Sequence, residues 1–345
     1  MRGQVKAGCQ KGKVKDNILL VRDRTVRRIV LYGALCICSF SSLSCRTFRS
    51  LRPIQLVPST SVVVASIRWA EVREDDRLRK VIEGDEIEKM LQELLHVLEI
   101  PDAQIVEALA FSEAAESADI SAGMILSGSY DARAVIRSLE ARGWNRQTYR
   151  GYKLYSNPAE EIGLTLLRSG LLVSGTLKGI KEVIDVELNP DQGLASSEPF
   201  DRLEAQFGNQ QYPISAIIIF PQSLQDVTGA AVELSSALLD FAGLGPLGEI
   251  LRKIGFAKGL GFSIARRGDS FPVELVAIMK DEEAAGFISG VLNLLKEIGS
   301  SLPPEAPDEE KRIRDLLVDR DGAILKVQWV MTEEDLLSHS GSAVR

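Results

Sequence analysis

The sequence predicts an α+β protein made of two similar halves, each with a mainly antiparallel sheet and helices packed on one face. Two observations carry that expectation: apolar strands alternate with stretches of helical period, and landmarks recur along the chain at nearly one spacing. An apolar strand follows Pro58 (Val62 to Ile67) and another follows Pro213 (Ile214 to Phe220), 155 residues on. Leu109-Ala110-Phe111-Ser112 matches Leu260-Gly261-Phe262-Ser263 at an offset of 151. A strand runs into an aspartate-started helix at Asp131 and again at Asp281, and a glycine turn occurs at Ser169-Gly170 and at Asp321-Gly322, with offsets of 150 and 152. A long-period repeat of this kind predicts an internal duplication, with a first half at 58–208, a second half at 209–340 and a short tail at 341–345. Short-period solenoids are excluded.

The individual elements have local warrants. Ile87, Met90, Leu91, Leu94, Leu95 and Leu98 follow a helical period, with Asp85 as N-cap and Glu88 closing a capping box. Ala132, Val135, Ile136 and Leu139 predict a second helix, capped by Asp131 and ended by Gly143. Its counterpart uses Ile288, Val291, Leu292 and Leu295, with Gly299 at its end. Asn189-Pro190-Asp191-Gln192-Gly193 is a turn cluster between the halves, and a short helix is expected from Ser197 to Phe207. The last hairpin is expected to turn on Asp321-Gly322, a pair suited to a type I′ turn. Its returning strand puts Leu325, Val327, Trp329 and Met331 on one face and Lys326 and Gln328 on the other, and Thr332 would cap a closing helix.

Ahead of these halves lies a different kind of sequence. Residues 1–28 hold nine lysines and arginines against two aspartates, and 29–43 form an apolar run of 15 residues that becomes small and polar before Cys45. A basic region, an apolar run and a small-residue exit make up a secretory signal peptide, and a run of 15 is shorter than the roughly 20 residues that cross a bilayer as a helix. A retained anchor and a buried segment are the competing readings of 29–43. The basic region is long for such a peptide, which suggests that synthesis starts near Val26. Ser42-Leu43-Ser44-Cys45 resembles the lipobox of bacterial lipoproteins, whose cysteine receives a diacylglycerol before the peptide ahead of it is removed. The resemblance implies a signal peptide over 1–44, a lipidated Cys45, a tether over 45–57, membrane attachment through the lipid, and a place in the bacterial cell envelope facing the periplasm or exterior. Beyond it, Leu56-Val57-Pro58-Ser59-Thr60 and Gly128-Ser129-Tyr130-Asp131 make the chain similar to uncharacterised bacterial envelope proteins with tandem α+β halves. That likeness implies no activity.

Charge and cysteine usage narrow the function. The four cysteines are Cys9, Cys36, Cys38 and Cys45, so the two halves contain none and disulfides do not hold them together. After residue 28 the chain carries 32 lysines and arginines against 46 aspartates and glutamates. An acidic surface repels phosphate backbones and anionic headgroups, so no nucleic-acid partner is expected.

The motifs of catalysis are few. There is no H-E-x-x-H, C-x-x-C or G-x-S-x-G, so zinc-protease, thiol and hydrolase readings have no support, and no metal, cofactor or catalytic residue is expected. Gly243-Leu244-Gly245-Pro246-Leu247-Gly248 satisfies G-x-G-x-x-G, but a helix-like stretch precedes it and Pro246 removes an amide, so a helix-to-helix turn is expected there. His96 and His339 read as solvated helix residues. Asp131 and Asp281 read as N-caps rather than a carboxylate pair, and Tyr149, Tyr152 and Tyr155 as edge-strand packing rather than an aromatic binding face.

One stretch points to ligand binding. From Ile214 to Ile264 only seven of 51 residues are charged. Its central helix is expected to carry Leu224, Val227, Leu234, Leu238 and Phe241 with small residues on its other faces. Such a helix either packs as core between the halves or lines an apolar surface for a lipid, a hydrophobic peptide or a partner helix. The function expected is that of a non-catalytic envelope lipoprotein that binds a ligand or scaffolds another envelope protein. A carrier of a hydrophobic ligand and an envelope enzyme working with carboxylates alone are the alternatives.

Overall fold

Strand β1 (Val63–Ile67) pairs antiparallel with β2 (Ile105–Ser112) on one side and with β8 (Ile214–Ile219) on the other, which places the first strand of each expected half back to back. The structure, a computed structural model, describes residues 52–82, 86–113, 120–157, 162–207, 212–220, 257–301 and 314–332. Ser42, Leu43, Ser44 and Cys45 lie outside the described residues, as do Leu224, Val227, Leu234, Leu238 and Phe241, the 243–248 glycine motif, His339 and the helix expected after Thr332. Helices α1 (Trp69–Glu74), α2 (Asp76–Ile82) and α3 (Glu86–Leu98) follow β1. Then come β2, β3 (Ala122–Gly128), α4 (Ala132–Ala141), β4 (Asn145–Tyr149), β5 (Tyr152–Asn157), β6 (Ile162–Leu166) and β7 (Leu172–Thr176). Helices α5 (Leu177–Leu188) and α6 (Glu198–Phe207) lead to β8, and β9 (Ala257–Ile264), β10 (Phe271–Met279), α7 (Glu282–Ser300), β11 (Leu317–Asp321) and β12 (Ile324–Met331) follow among the described residues.

The twelve strands of the described residues form one sheet in the order β11-β12-β10-β9-β8-β1-β2-β3-β7-β6-β5-β4, and every neighbouring pair is antiparallel. The α+β class with a large antiparallel sheet is thus as expected. The strand order of one half answers that of the other: β1-β2-β3 then a return through β7 and β6, against β8-β9-β10 then a return through β12 and β11. The first half adds the β4–β5 hairpin at the edge. This correspondence is one of strand order, and a duplication of sequence is not established by it.

The expected helical layer on a single face is corrected. Helices α1, α2, α3, α4 and α7 bury Trp69, Leu78, Leu91, Leu139 and Ile288 on one face of the sheet. On the other face α5 and α6 bury Ile180, Ile184 and Phe200 against Leu109, Ile125 and Val173. The reason lies in the strands. Central strands such as β9 and β10 bury successive residues along almost their whole length, so both faces are apolar and both need cover.

The caps at Asp131 and Asp281 hold as expected, while Asp85, the cap expected for α3, lies outside the described residues. The amide of Arg133 donates to Asp131 Oδ1 at 2.8 Å, and that of Ala284 donates to Asp281 Oδ1 at 2.8 Å. Helix α4 ends on Gly143 (φ 75°), with the Trp144 amide donating to the Leu139 carbonyl at 3.1 Å, a Schellman-type closure that fixes where Trp144 stands. Helix α7 runs one residue past Gly299. The last hairpin turns one residue later than expected. Asp321 is registered against Ile324, which leaves Gly322 (φ 58°) and Ala323 as the turn, so the positive φ is at Gly322 alone and the turn is not type I′.

Two ion pairs tie the α1–α2 corner to the β9–β10 turn: Arg266 meets Asp75, and Arg77 Nη1 lies 2.6 Å from Asp269 Oδ1. Burial raises the Asp75 pKa, but the bonds from Arg266 and from the amides of Arg77 and Leu78 outweigh it and hold the carboxyl below its ordinary value.

Candidate functional site

Helix α3 crosses the first half of the sheet and is held there by Leu91, Leu95 and Leu98, all buried. Beneath its next turn the sheet changes character. On β3 and β7 the helix-side positions Leu126 and Leu172 are in register and fully buried, and they fill the space to the helices above. Two residues further along the same face stand Met124 and Ser174, again in register. Ala110 pairs with Met124, and Ala65 pairs with Ala110, so this row of the floor consists of two alanines, a methionine and a serine. The next row is Val63, Ser112 and Ala122, in register across β1, β2 and β3.

Small side chains under a helix anchored by larger neighbours leave volume unfilled. The result is a cleft of about 830 Å³ between α3 and the sheet, within the roughly 300–1,000 Å³ of sites that take a small molecule. Leu94 and Val97 of α3 form its roof, Trp144 and Ile162 its far wall, and Glu93 and His96 are its ionisable groups among the described residues. Gly175 lets β7 approach β3 closely at the end of the floor: a Cβ there would stand 2.3 Å from the Ala122 carbonyl oxygen, and its φ of 154° favours glycine.

The floor's hydroxyls are already engaged. Ser174 Oγ donates to the Gly163 carbonyl at 3.3 Å and Ser112 Oγ to the Glu113 carbonyl at 3.0 Å. Thr176 Oγ1 donates to the Ile120 carbonyl at 2.9 Å and accepts from the amides of Gly179 and Ala122 at 3.1 and 3.3 Å. None of these donations goes to His96, so no activated-serine geometry of nucleophile and base is formed among the described residues. Beside the floor, Lys178 Nζ lies 2.7 Å from Glu113 Oε2. This bond, helped by the Ser121 amide, keeps the Glu113 pKa below its ordinary value despite some burial.

A second polar arrangement lies on the opposite face. Ser66, Ser215, Ser263 and Glu274 are in register across β1, β8, β9 and β10. Glu274, 7% exposed, meets Lys326 Nζ at 2.8 Å and accepts from Gln328 Nε2 at 2.7 Å. At the other end Glu107 accepts from Ser66 Oγ at 3.0 Å, and burial raises its pKa against that bond and the more distant arginines Arg68 and Arg52. Glu107 and Glu274 have β1, β8 and β9 between their strands, a span of roughly 19 Å at ordinary strand spacing. Two carboxylates that share acid–base work on one bond stand within about 10 Å.

The residues singled out from sequence fall as follows. Asp131 and Asp281 cap separate helices and are not brought together. The tyrosines do not form one aromatic face: Tyr155 is buried on the α3 side of the sheet and Tyr152 on the α5 side, under the Arg168 guanidinium at 4.9 Å. Burial and the neighbouring Glu187 push the Tyr152 pKa up to about 12. His96 is exposed on α3, as expected of a solvated residue, but it also borders the cleft, which the sequence did not signal. The cleft was missed because its signal, small residues at alternate positions, is spread over four strands. Among the described residues there is no group of three His, Cys, Asp or Glu placed to hold a metal, and no helix long and apolar enough to cross a membrane.

No known family model and no curated protein matches the chain. Solved structures of the protein TP0453 align with it. Crystal form III gives a TM-score of 0.47 at 14% identity over 85% of this chain and 98% of that one. Form I gives 0.46 at 14% with the same coverage, and form IV gives 0.45 at 13% over 85% and 97%. At scores and identities this low the alignments carry no inference about function.

Proposed function

We propose that this chain is a non-catalytic ligand-binding protein of the bacterial cell envelope, which holds a lipid or another hydrophobic molecule of similar size in the cleft under α3. The observation that carries the reading is the cleft itself: about 830 Å³ over a floor of Ala65, Ala110, Met124 and Ser174, with Leu94 and Val97 above. Apolar walls with a few polar groups at the edge are the usual make-up of a small-molecule site. The hydroxyls at its floor are committed to main-chain carbonyls, which favours holding a ligand over attacking it.

The envelope placement rests on the sequence ahead of the domain. The basic start, the apolar run over 29–43 and Ser42-Leu43-Ser44-Cys45 support a lipid-anchored protein with Cys45 as its attachment point. Substituting Cys45→Ala tests this directly. Release from the membrane or arrest as a precursor supports the anchor. A Cys45→Ala protein that stays membrane-bound and unprocessed assigns the attachment to 29–43 instead.

The cleft is tested by solvent extraction and native mass spectrometry of protein purified from its own membranes. The parent is expected to carry an extractable apolar ligand, and Ala110→Phe, which fills the floor, is expected to lose it while still folding. Equal ligand content in the two proteins would place the site elsewhere.

A further inference from the structure

The polar edge of the cleft restricts the head of its ligand, an inference that rests on reading the cleft as a ligand site. An acid-headed lipid brings a carboxylate or phosphate, which only accepts hydrogen bonds and needs donors or a cation. The described lining holds no lysine or arginine. Lys178, the cation beside the floor, is engaged with Glu113 at 2.7 Å. The Ser112, Ser174 and Thr176 hydroxyls each spend their single proton on a main-chain carbonyl. Thr176 Oγ1 also receives two amides, so it is satisfied on both sides. Ser112 and Ser174 keep only lone pairs to offer.

Glu93 adds a carboxylate at the edge, and the chain as a whole carries 48 aspartates and glutamates against 41 lysines and arginines. An anionic head placed there meets like charge from Glu93 and has only the N–H groups of Trp144 and His96 to accept from, with no lysine or arginine in the described lining to balance it, which costs more the deeper it is drawn from water. A neutral head is served from both sides. Its hydroxyl protons can go to Glu93 or to the serine lone pairs, and its oxygens can accept from the indole N–H of Trp144 or a ring N–H of His96, which also border the cleft.

We infer that the ligand is an uncharged amphiphile, a long-chain alcohol, ester or acylglycerol, and that Glu93 together with the engaged hydroxyls of the floor excludes acid-headed lipids.

The test is a chain-matched pair of probes, a long-chain monoacylglycerol and the corresponding free fatty acid, titrated into delipidated protein at mildly alkaline pH. The monoacylglycerol is expected to bind at least about tenfold more tightly, equivalent to ~1.4 kcal/mol. Glu93→Lys, an exchange at an exposed helix position, is expected to reverse the order by supplying the missing cation. Equal affinities in the parent, or a ratio unchanged by Glu93→Lys, overturn the inference and leave the cleft as a site. If neither probe binds, the reading of the cleft fails and this inference fails with it.

Discussion

Ala65 of β1 stands directly opposite Ala110 of β2, and these two methyl groups are part of the floor beneath α3 where the core of the first half thins. Ala108, on the same face of β2 one step along, is buried between Ile67 and Leu126, its partners on the neighbouring strands. The two alanines should therefore respond oppositely to enlargement. Ala65→Leu grows into open volume and is expected to leave the thermal midpoint unchanged or raise it. Ala108→Leu overpacks and is expected to lose about 1–3 kcal/mol in chemical denaturation. Equal losses at both positions would mean that the cleft is filled in solution by the protein itself.

Leu95 is 4% exposed and anchors α3 over the sheet. Leu95→Ala is expected to cost about 2–5 kcal/mol, measured by urea unfolding. Because α3 also roofs the cleft, the same variant should bind the monoacylglycerol more weakly under conditions where it is still folded.

Asp281 serves as the N-cap of α7. Asp281→Ala removes the bond from the Ala284 amide and is expected to cost ~1 kcal/mol of stability, with ligand binding unchanged. Asp131→Ala should act in the same direction at α4. A change in ligand affinity in the Asp281 variant would contradict the assignment.

Glu113 and Glu107 should give acid limbs of opposite sign. The bond from Lys178 holds the Glu113 carboxyl below its ordinary 4.5, so the pair stabilises the fold fully above that value and the gain is lost as pH falls through the lower folded value. Glu113→Gln should therefore be less stable than the parent at neutral pH, with the gap closing in acid. Burial raises Glu107 above 4.5, so its ionisation opposes folding once pH rises past the unfolded value. Glu107→Gln keeps the acceptor for Ser66 and should be more stable than the parent at neutral pH, with no difference below about pH 4. Denaturant midpoints measured from about pH 7 to 3 check both signs.

What could be read from sequence was what is local. Asp131 and Asp281 announce their helices because a cap bonds an amide two or three residues away. The strands of β1, β2 and β8 are legible because their apolar runs are short and bounded. What depends on register was not legible. Ala65, Ala110 and Ser174 are far apart in the chain, and only the pairing of β1, β2, β3 and β7 brings them onto one floor. The amphipathic pattern of α5 says that one of its faces is buried, but it does not say which side of the sheet it covers. The last turn was displaced by one residue because Asp321 takes a ladder position opposite Ile324.

The proposed occupant of the space under α3 is an apolar ligand. The most direct test of that occupancy is a long-chain monoacylglycerol carrying a photoreactive diazirine at the chain end, photolysed on the protein and mapped by peptide mass spectrometry. Adducts are expected on Leu94, Val97, Met124 or Trp144, suppressed by excess unlabelled monoacylglycerol and by Ala110→Phe. Adducts confined to other segments, or labelling that neither competitor nor Ala110→Phe reduces, would contradict it.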